Sequence, residues 1–236
     1  MSKHPLTIAL LCVSAAGCGG SHEATPTTTQ TATSSTSTPT TTVVPSRISV
    51  TVFRTRNGRL VAHVDRVPGT RAVAAASLAA LGLAAPITVA GGTATVDRED
   101  ATPAEVAEIV YTLTQYPSIQ RVDVAGRTGV TRADIAEFVP PILVERPAAG
   151  ATTGPTIQVA GSASVYEATV VLELRQGGRV VQKKVVTAAE GAPGRGPFSG
   201  TLVAPGGGRY VVAAYSASAL DGSPQHEQDV PVTVTP

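Results

Sequence analysis

Glu167–Gly178 reads EATVVLELRQGG, and the period of its apolar residues decides how the second half of the chain folds. Ala168, Val170, Leu172 and Leu174 alternate with Glu167, Thr169, Val171 and Glu173. A period of two sends alternate side chains to opposite faces of a strand, whereas a helix needs apolar positions three and four apart. Gly177-Gly178 then turns the chain, and strand-like stretches recur on either side. Ile157 and Val159 come before it. Val181 and Val185, Phe198 and Leu202, Tyr210, Val212 and Ala214, and Val230, Val232 and Val234 come after. No helical period interrupts them. Short alternating strands at this spacing predict an all-β sandwich of immunoglobulin type over residues 141–236. The Cys…Trp…Cys pattern of antibody domains is absent, because the chain has 2 Cys and no Trp.

Three stretches carry more than the period. ASVYEATV (Ala163–Val170), GAPGRGPFSG (Gly191–Gly200) and SALDGSPQHEQDVPVTV (Ser218–Val234) closely resemble the Ig-like domain that accompanies bacterial spore-germination proteins. In that family the domain often follows a second module, so the preceding residues matter.

Residues 48–138 mix two periods. Ile48, Val50 and Val52 alternate with Ser49, Thr51 and Phe53. After the hairpin dipeptide Asn57-Gly58, Leu60, Ala62 and Val64 alternate with Val61, His63 and Asp65. Residues 70–81 are Ala-rich, with Val73, Ala74, Leu78 and Leu81 on one helical face and Gly82 as a C-terminal stop. Gly91-Gly92 introduces a strand at Thr93–Val96. Thr102-Pro103-Ala104-Glu105 then predicts a helix start with a capping box, and Val106, Ile109, Val110 and Leu113 form its apolar stripe. Pro117 ends that helix, Val122 and Val124 mark a strand, and Thr131 to Asp134 caps a short helix carrying Ile135 and Phe138. Interleaved strands and helices predict an α+β domain, one sheet with helices packed on it. GGTATVD (Gly91–Asp97), IVYTLTQYP (Ile109–Pro117) and RVDVAG (Arg121–Gly126) resemble the GerMN domain of sporulation and germination proteins and their actinobacterial lipoprotein relatives. Relatives usually carry an Ile-Pro-x-Gly-Thr stretch after the first helix; here only Leu83–Ala90 intervenes.

The chain begins like an exported protein. Residues 1–17 contain Lys3, an apolar run from Leu6 to Val13, and small residues up to Gly17. The run is shorter than the roughly 20 residues that a bilayer-spanning helix needs. Ala16-Gly17-Cys18 after such a run resembles the bacterial lipobox, with Ala15 where Leu is commoner. That resemblance implies cleavage before Cys18 and lipid on its thiol. Cys12 falls in the removed leader, so no disulfide or thiolate metal site is available. Residues 18–47 are dominated by Ser, Thr and Pro and cannot bury enough apolar surface to fold. They read as a disordered tether about 30 Å across. With Lys3 removed, the 18 Lys+Arg fall level with the 17 Asp+Glu, and this balance gives no pull toward nucleic acid.

Chemistry-bearing patterns are sparse. His63 and Asp65 share a strand face without a third ligand beside them, and His226-Glu227 stands alone. No Gly-x-Ser-x-Gly elbow places a nucleophile. GAPGRGPFSG lacks the Gly-Lys-Ser/Thr ending of a phosphate loop and reads as a long turn that displays Arg195 and sends Phe198 inward. Asp221-Gly222-Ser223 reads as a turn. Arg195 and Asp221 are therefore the candidate residues of a partner surface; no catalytic, metal or cofactor-binding residue is expected. The expectation is a non-enzymatic lipoprotein, held to the cell membrane through Cys18, that binds another envelope protein of sporulation, germination or signalling type. The alternative is a lipoprotein that binds a cell-wall polymer or a small ligand.

Overall fold

The computed structural model describes residues 46–236. The leader, Cys18 and nearly all of the tether lie outside the described residues. Arg47, placed at the tether's end from the sequence, is instead the first residue of a strand.

β1 (Arg47–Arg56) and β2 (Arg59–Pro68) form an antiparallel hairpin closed by Asn57-Gly58. Both turn residues have positive φ, 52° and 73°, as a type I′ turn requires. α1 (Val73–Ala80) follows, then β3 (Ile87–Ala90), β4 (Thr93–Val96), α2 (Pro103–Leu113), β5 (Arg121–Val124) and β6 (Arg127–Val130). β3 to β6 make a four-stranded sheet in the order β3-β4-β5-β6, with β4 and β5 parallel. The single sheet expected for this half is therefore two sheets, with the β1-β2 hairpin separate.

The reason lies on α2. The β1-β2 ladder leaves the N–H groups of Phe53 and Thr55 and the carbonyl of Thr51 facing away from β2. Side chains of α2 and its C-terminal turn take all three. Phe53 N–H donates to Thr112 Oγ1 at 2.9 Å, Thr55 N–H to Glu108 Oε1 at 2.6 Å, and Gln115 Nε2 donates to Thr51 O at 2.8 Å. A helix face thus occupies the edge where another strand would pair, and among the described residues no strand continues the sheet there. α2 itself starts on the expected box: Glu105 N–H donates to Thr102 Oγ1, and Thr102 N–H donates back to Glu105. It ends at Leu113, before Pro117.

A 3-10 stretch at Ala133–Phe138 leads into β7 (Ile142–Arg146). Then come β8 (Thr152–Thr153), β9 (Thr156–Ala163), β10 (Thr169–Gln176), β11 (Arg179–Thr187), β12 (Gly196–Val203), β13 (Gly208–Ala217) and β14 (Pro224–Val234). A single 3-10 turn at Tyr166–Ala168 interrupts what the sequence implied was purely extended. The strands form two facing sheets, β12-β9-β7 and β11-β10-β13-β14-β8. The inward residues read from the period, Val170, Leu172, Leu174, Val212 and Ala214, are fully buried between them. Val181 and Val185 of β11 face out instead. At Gly161 of β9 any Cβ would collide with the carbonyl oxygen of Leu143, so only glycine lets β7 pack this closely. The molecule as described is mostly β and contains an Ig-like sandwich.

β7 joins the two halves. Ile142 and Val144 enter the sandwich core, whereas Leu143 points the other way into the core beneath β1, β2 and α2. Past β7, Ala149 accepts from Val64 N–H and donates to Ala62 O, both at 2.9 Å, extending the edge of β2. Gly150 N–H donates to Pro231 O, and Thr233 N–H donates to Ala151 O. The boundary drawn near residue 140 from the sequence is therefore crossed by both packing and hydrogen bonds. The described residues form one compact unit. Among the described residues, no helix is long and apolar enough to cross a membrane.

Candidate functional site

The two halves leave a cleft of about 700 Å³ where they meet. Tyr111 comes from α2, Arg132 from the start of the 3-10 stretch, Glu145 from β7, Ser162 from β9 and Arg195 from the Gly-rich turn before β12. Each is held by local structure. The apolar stripe of α2 faces the core and leaves Tyr111 against Phe53, with ring centroids 5.2 Å apart. Arg132 stacks over the Tyr111 ring, 4.3 Å from its centroid, and donates from Nε to Thr114 Oγ1 at 2.9 Å. Its Nη1 donates to both oxygens of Glu145, at 3.1 and 3.2 Å.

Arg195 does not stand out from its turn as the sequence suggested. Gly196 lies so close to Glu190 that no side chain fits, and the turn folds back on itself. The half-buried guanidinium then donates to Ser162 O at 3.2 Å, Ser162 Oγ at 3.1 Å and Pro140 O at 2.6 Å. All three acceptors are neutral. Among the described residues no carboxylate lies within ion-pair distance of it, whereas Arg132 is neutralised by Glu145. Burial lowers the Arg195 pKa, with Tyr111 and Glu145 opposing the shift, and burial raises that of Tyr111. An arginine stays charged regardless. The cleft therefore carries one uncompensated positive charge, with hydroxyls from Ser162 and Ser164 beside it and an apolar wall that includes Ala133, Ala136 and Val139. Such a site can hold an anion. Its lining contains no histidine, and its one carboxylate is engaged by Arg132.

The other sequence candidates lie elsewhere. Asp221 is exposed in the β13-β14 connection, where its Oδ1 accepts from Ser223 N–H at 3.0 Å and Ser223 Oγ at 2.7 Å. These bonds hold its carboxyl below the usual range. No hydrogen bond or ion pair among the described residues joins it to Arg195. His63 Nε2 lies 4.0 Å from Asp65 Oδ1, and Asp65 also pairs with Arg54. Glu227 pairs with Arg175. Among the described residues, no group of three or more His, Cys, Asp or Glu residues is placed to hold a metal ion.

A second charged cluster covers the outer face of the larger sandwich sheet. Glu173, buried, accepts from Tyr215 Oη at 2.7 Å and from Arg175, and lies 3.2 Å from Lys183 Nζ. Burial would raise its pKa, but these hydrogen bonds outweigh it and hold the carboxyl low. Arg175 also reaches Glu227 at 2.7 Å. Every charge here has a partner within the chain, so the cluster locks the sheet face.

Tyr111, Arg132, Glu145, Ser162 and Ser164 were not singled out from the sequence. They lie on separate elements, and only folding brings them together.

The fold and cleft define a β-rich protein with an Ig-like sandwich and a ligand-sized hollow against its neighbouring half. Residues 141–223 match the immunoglobulin-like domain of bacterial spore germination. The match stops short of β14, which completes the larger sheet. No curated protein matches the chain. An engineered protein of known crystal structure is similar at 14% identity over 55% of this chain, with a TM-score of 0.31. The chain spans 36% of that protein's length.

Proposed function

We propose that the protein is an extracytoplasmic lipoprotein, anchored to the cell membrane through Cys18, whose folded part is a non-enzymatic adaptor for another envelope protein. The leader, the lipobox-like residues and the Ser/Thr/Pro-rich tether motivate the anchor. Residues 48–138 are read as an α+β domain of GerMN type, on the motifs quoted above and the alternation of strands with helices. Together with the germination-type match in residues 141–223, this favours a sporulation, germination or signalling partner.

The observation that carries the binding role is the cleft, lined from both halves and centred on an arginine that has no counter-ion among the described residues. A recognition module needs a fixed concave surface with a few convergent polar groups. The test is a pull-down from crosslinked native membranes, expected to recover one reproducible envelope protein; recovering none overturns the adaptor reading. The anchor is tested separately. Cys18→Ala should release the protein from membranes, and its retention after a high-salt wash would remove the lipid from the account.

The cleft volume also falls within the range of small-ligand pockets, about 300–1,000 Å³. This favours, as a second reading, binding of a wall polymer or small ligand. Association of Cys18→Ala protein with purified peptidoglycan or wall glycan would select it.

A further inference from the structure

Resting on the adaptor reading, we infer that the junction cleft binds an acidic side chain presented by a peptide segment of the partner, with Arg195 as its anchor. Three observations converge on this chemistry. The cleft has two guanidinium groups and one carboxylate, and the Arg132–Glu145 pair cancels, so Arg195 leaves a single net positive charge. One charge matches a carboxylate better than a doubly charged phosphate. Arg195 is also held rigidly, by Pro140 O on one nitrogen and Ser162 on another, so little side-chain entropy remains to be lost on binding. A guanidinium fixed in this way, with Ser162 and Ser164 hydroxyls nearby, suits charge-assisted hydrogen bonding to a planar carboxylate.

The walls select what carries the carboxylate. Ala133, Ala136 and Val139 line one side, and Pro193 and Pro197 flank Arg195. These small apolar groups fit aliphatic side chains flanking an acidic residue, and about 700 Å³ exceeds what a lone ion requires. Because residues of both halves line the site, binding depends on the halves keeping their relative placement through β7.

The test uses the full chain, solubilised in non-ionic detergent, and four probes measured by calorimetry. They are acetyl-Ala-Glu-Ala-amide, its Gln counterpart, acetyl-Ala-Ala-Ala with a free C-terminus, and inorganic phosphate. The Glu peptide should bind saturably, and the Gln peptide at least about tenfold more weakly. Arg195→Gln should abolish that preference. Glu145→Gln, which raises the net charge of the cleft, should tighten the Glu peptide several-fold, and this readout decides the matter even if Arg195→Gln misfolds. Equal binding of the Glu and Gln peptides overturns the inference, as does phosphate binding as tightly as the Glu peptide. Binding confined to the free C-terminus overturns the side-chain assignment. Glu-peptide binding with no partner recovered from membranes would instead sink the adaptor reading and leave the cleft chemistry standing.

Discussion

Thr112 shows how one hydroxyl decides whether an edge survives burial. Its Oγ1 is the acceptor for Phe53 N–H at 2.9 Å, and the residue is fully buried. Thr112→Val keeps the shape and removes the acceptor, leaving a buried donor unpaired. The expected loss is about 1–3 kcal/mol in chemical denaturation, with an unchanged m-value. Glu173 makes a prediction in pH. Its carboxyl is held below its ordinary value of 4.5, because the bonds from Tyr215, Arg175 and Lys183 outweigh the burial that would raise it. The folded pKa is depressed, so the contribution is fully present above the unfolded value and is lost as pH falls through the folded one. Between about pH 5 and pH 3 the melting temperature of the native protein should fall faster than that of Glu173→Gln. Parallel curves would show that Glu173 contributes nothing to the acid limb.

At the scale of elements, Gly161 sets the distance between β7 and β9. A methyl group there meets Leu143 O, which is backbone and cannot swing aside, and it also crowds the Phe198 ring at 3.0 Å. Gly161→Ala should therefore cost about 3 kcal/mol or more, the upper end of overpacking penalties, read as a lowered denaturation midpoint. Much at this scale was legible beforehand. The Asn57-Gly58 hairpin, the Thr102–Glu105 box and the alternation in Thr169–Gln176 are local signals, and the chain obeys them. β3 and β6 were not foreseen, because neither buries alternate residues: β3 is largely exposed and β6 buries only Val130. The polar side of α2 was misleading for a physical reason. Glu108, Thr112 and Gln115 lie opposite the apolar stripe, which ordinarily means solvent. Here they satisfy the β1 edge, and a single sequence contains no sign that a strand edge will arrive there.

The cleft belongs to the whole molecule, which is why only Arg195 among its residues stood out in the sequence. Tyr111, Arg132, Glu145 and Ser162 are separated by up to 51 positions and share no spacing that a period could expose. Their meeting depends on β7 serving two cores at once, and that dependence can be tested. Leu143 is fully buried in the first half's core, although it sits on a strand whose neighbours Ile142 and Val144 belong to the sandwich. Leu143→Ala should cost about 2–5 kcal/mol. If the halves fold as one cooperative unit, the amides of Leu60–Val64 and those of Val230 and Val232 should lose hydrogen-exchange protection by the same factor. Loss confined to Leu60–Val64 would mean that the halves open independently. Ala149→Pro attacks the same seam at a residue that only partly packs against the sandwich core, since it removes the N–H that donates to Ala62 O. The thermal transition should then split or broaden in calorimetry, with both parts still folded at low temperature. Glu-peptide binding should weaken in step, because the two walls of the cleft would no longer hold a fixed separation.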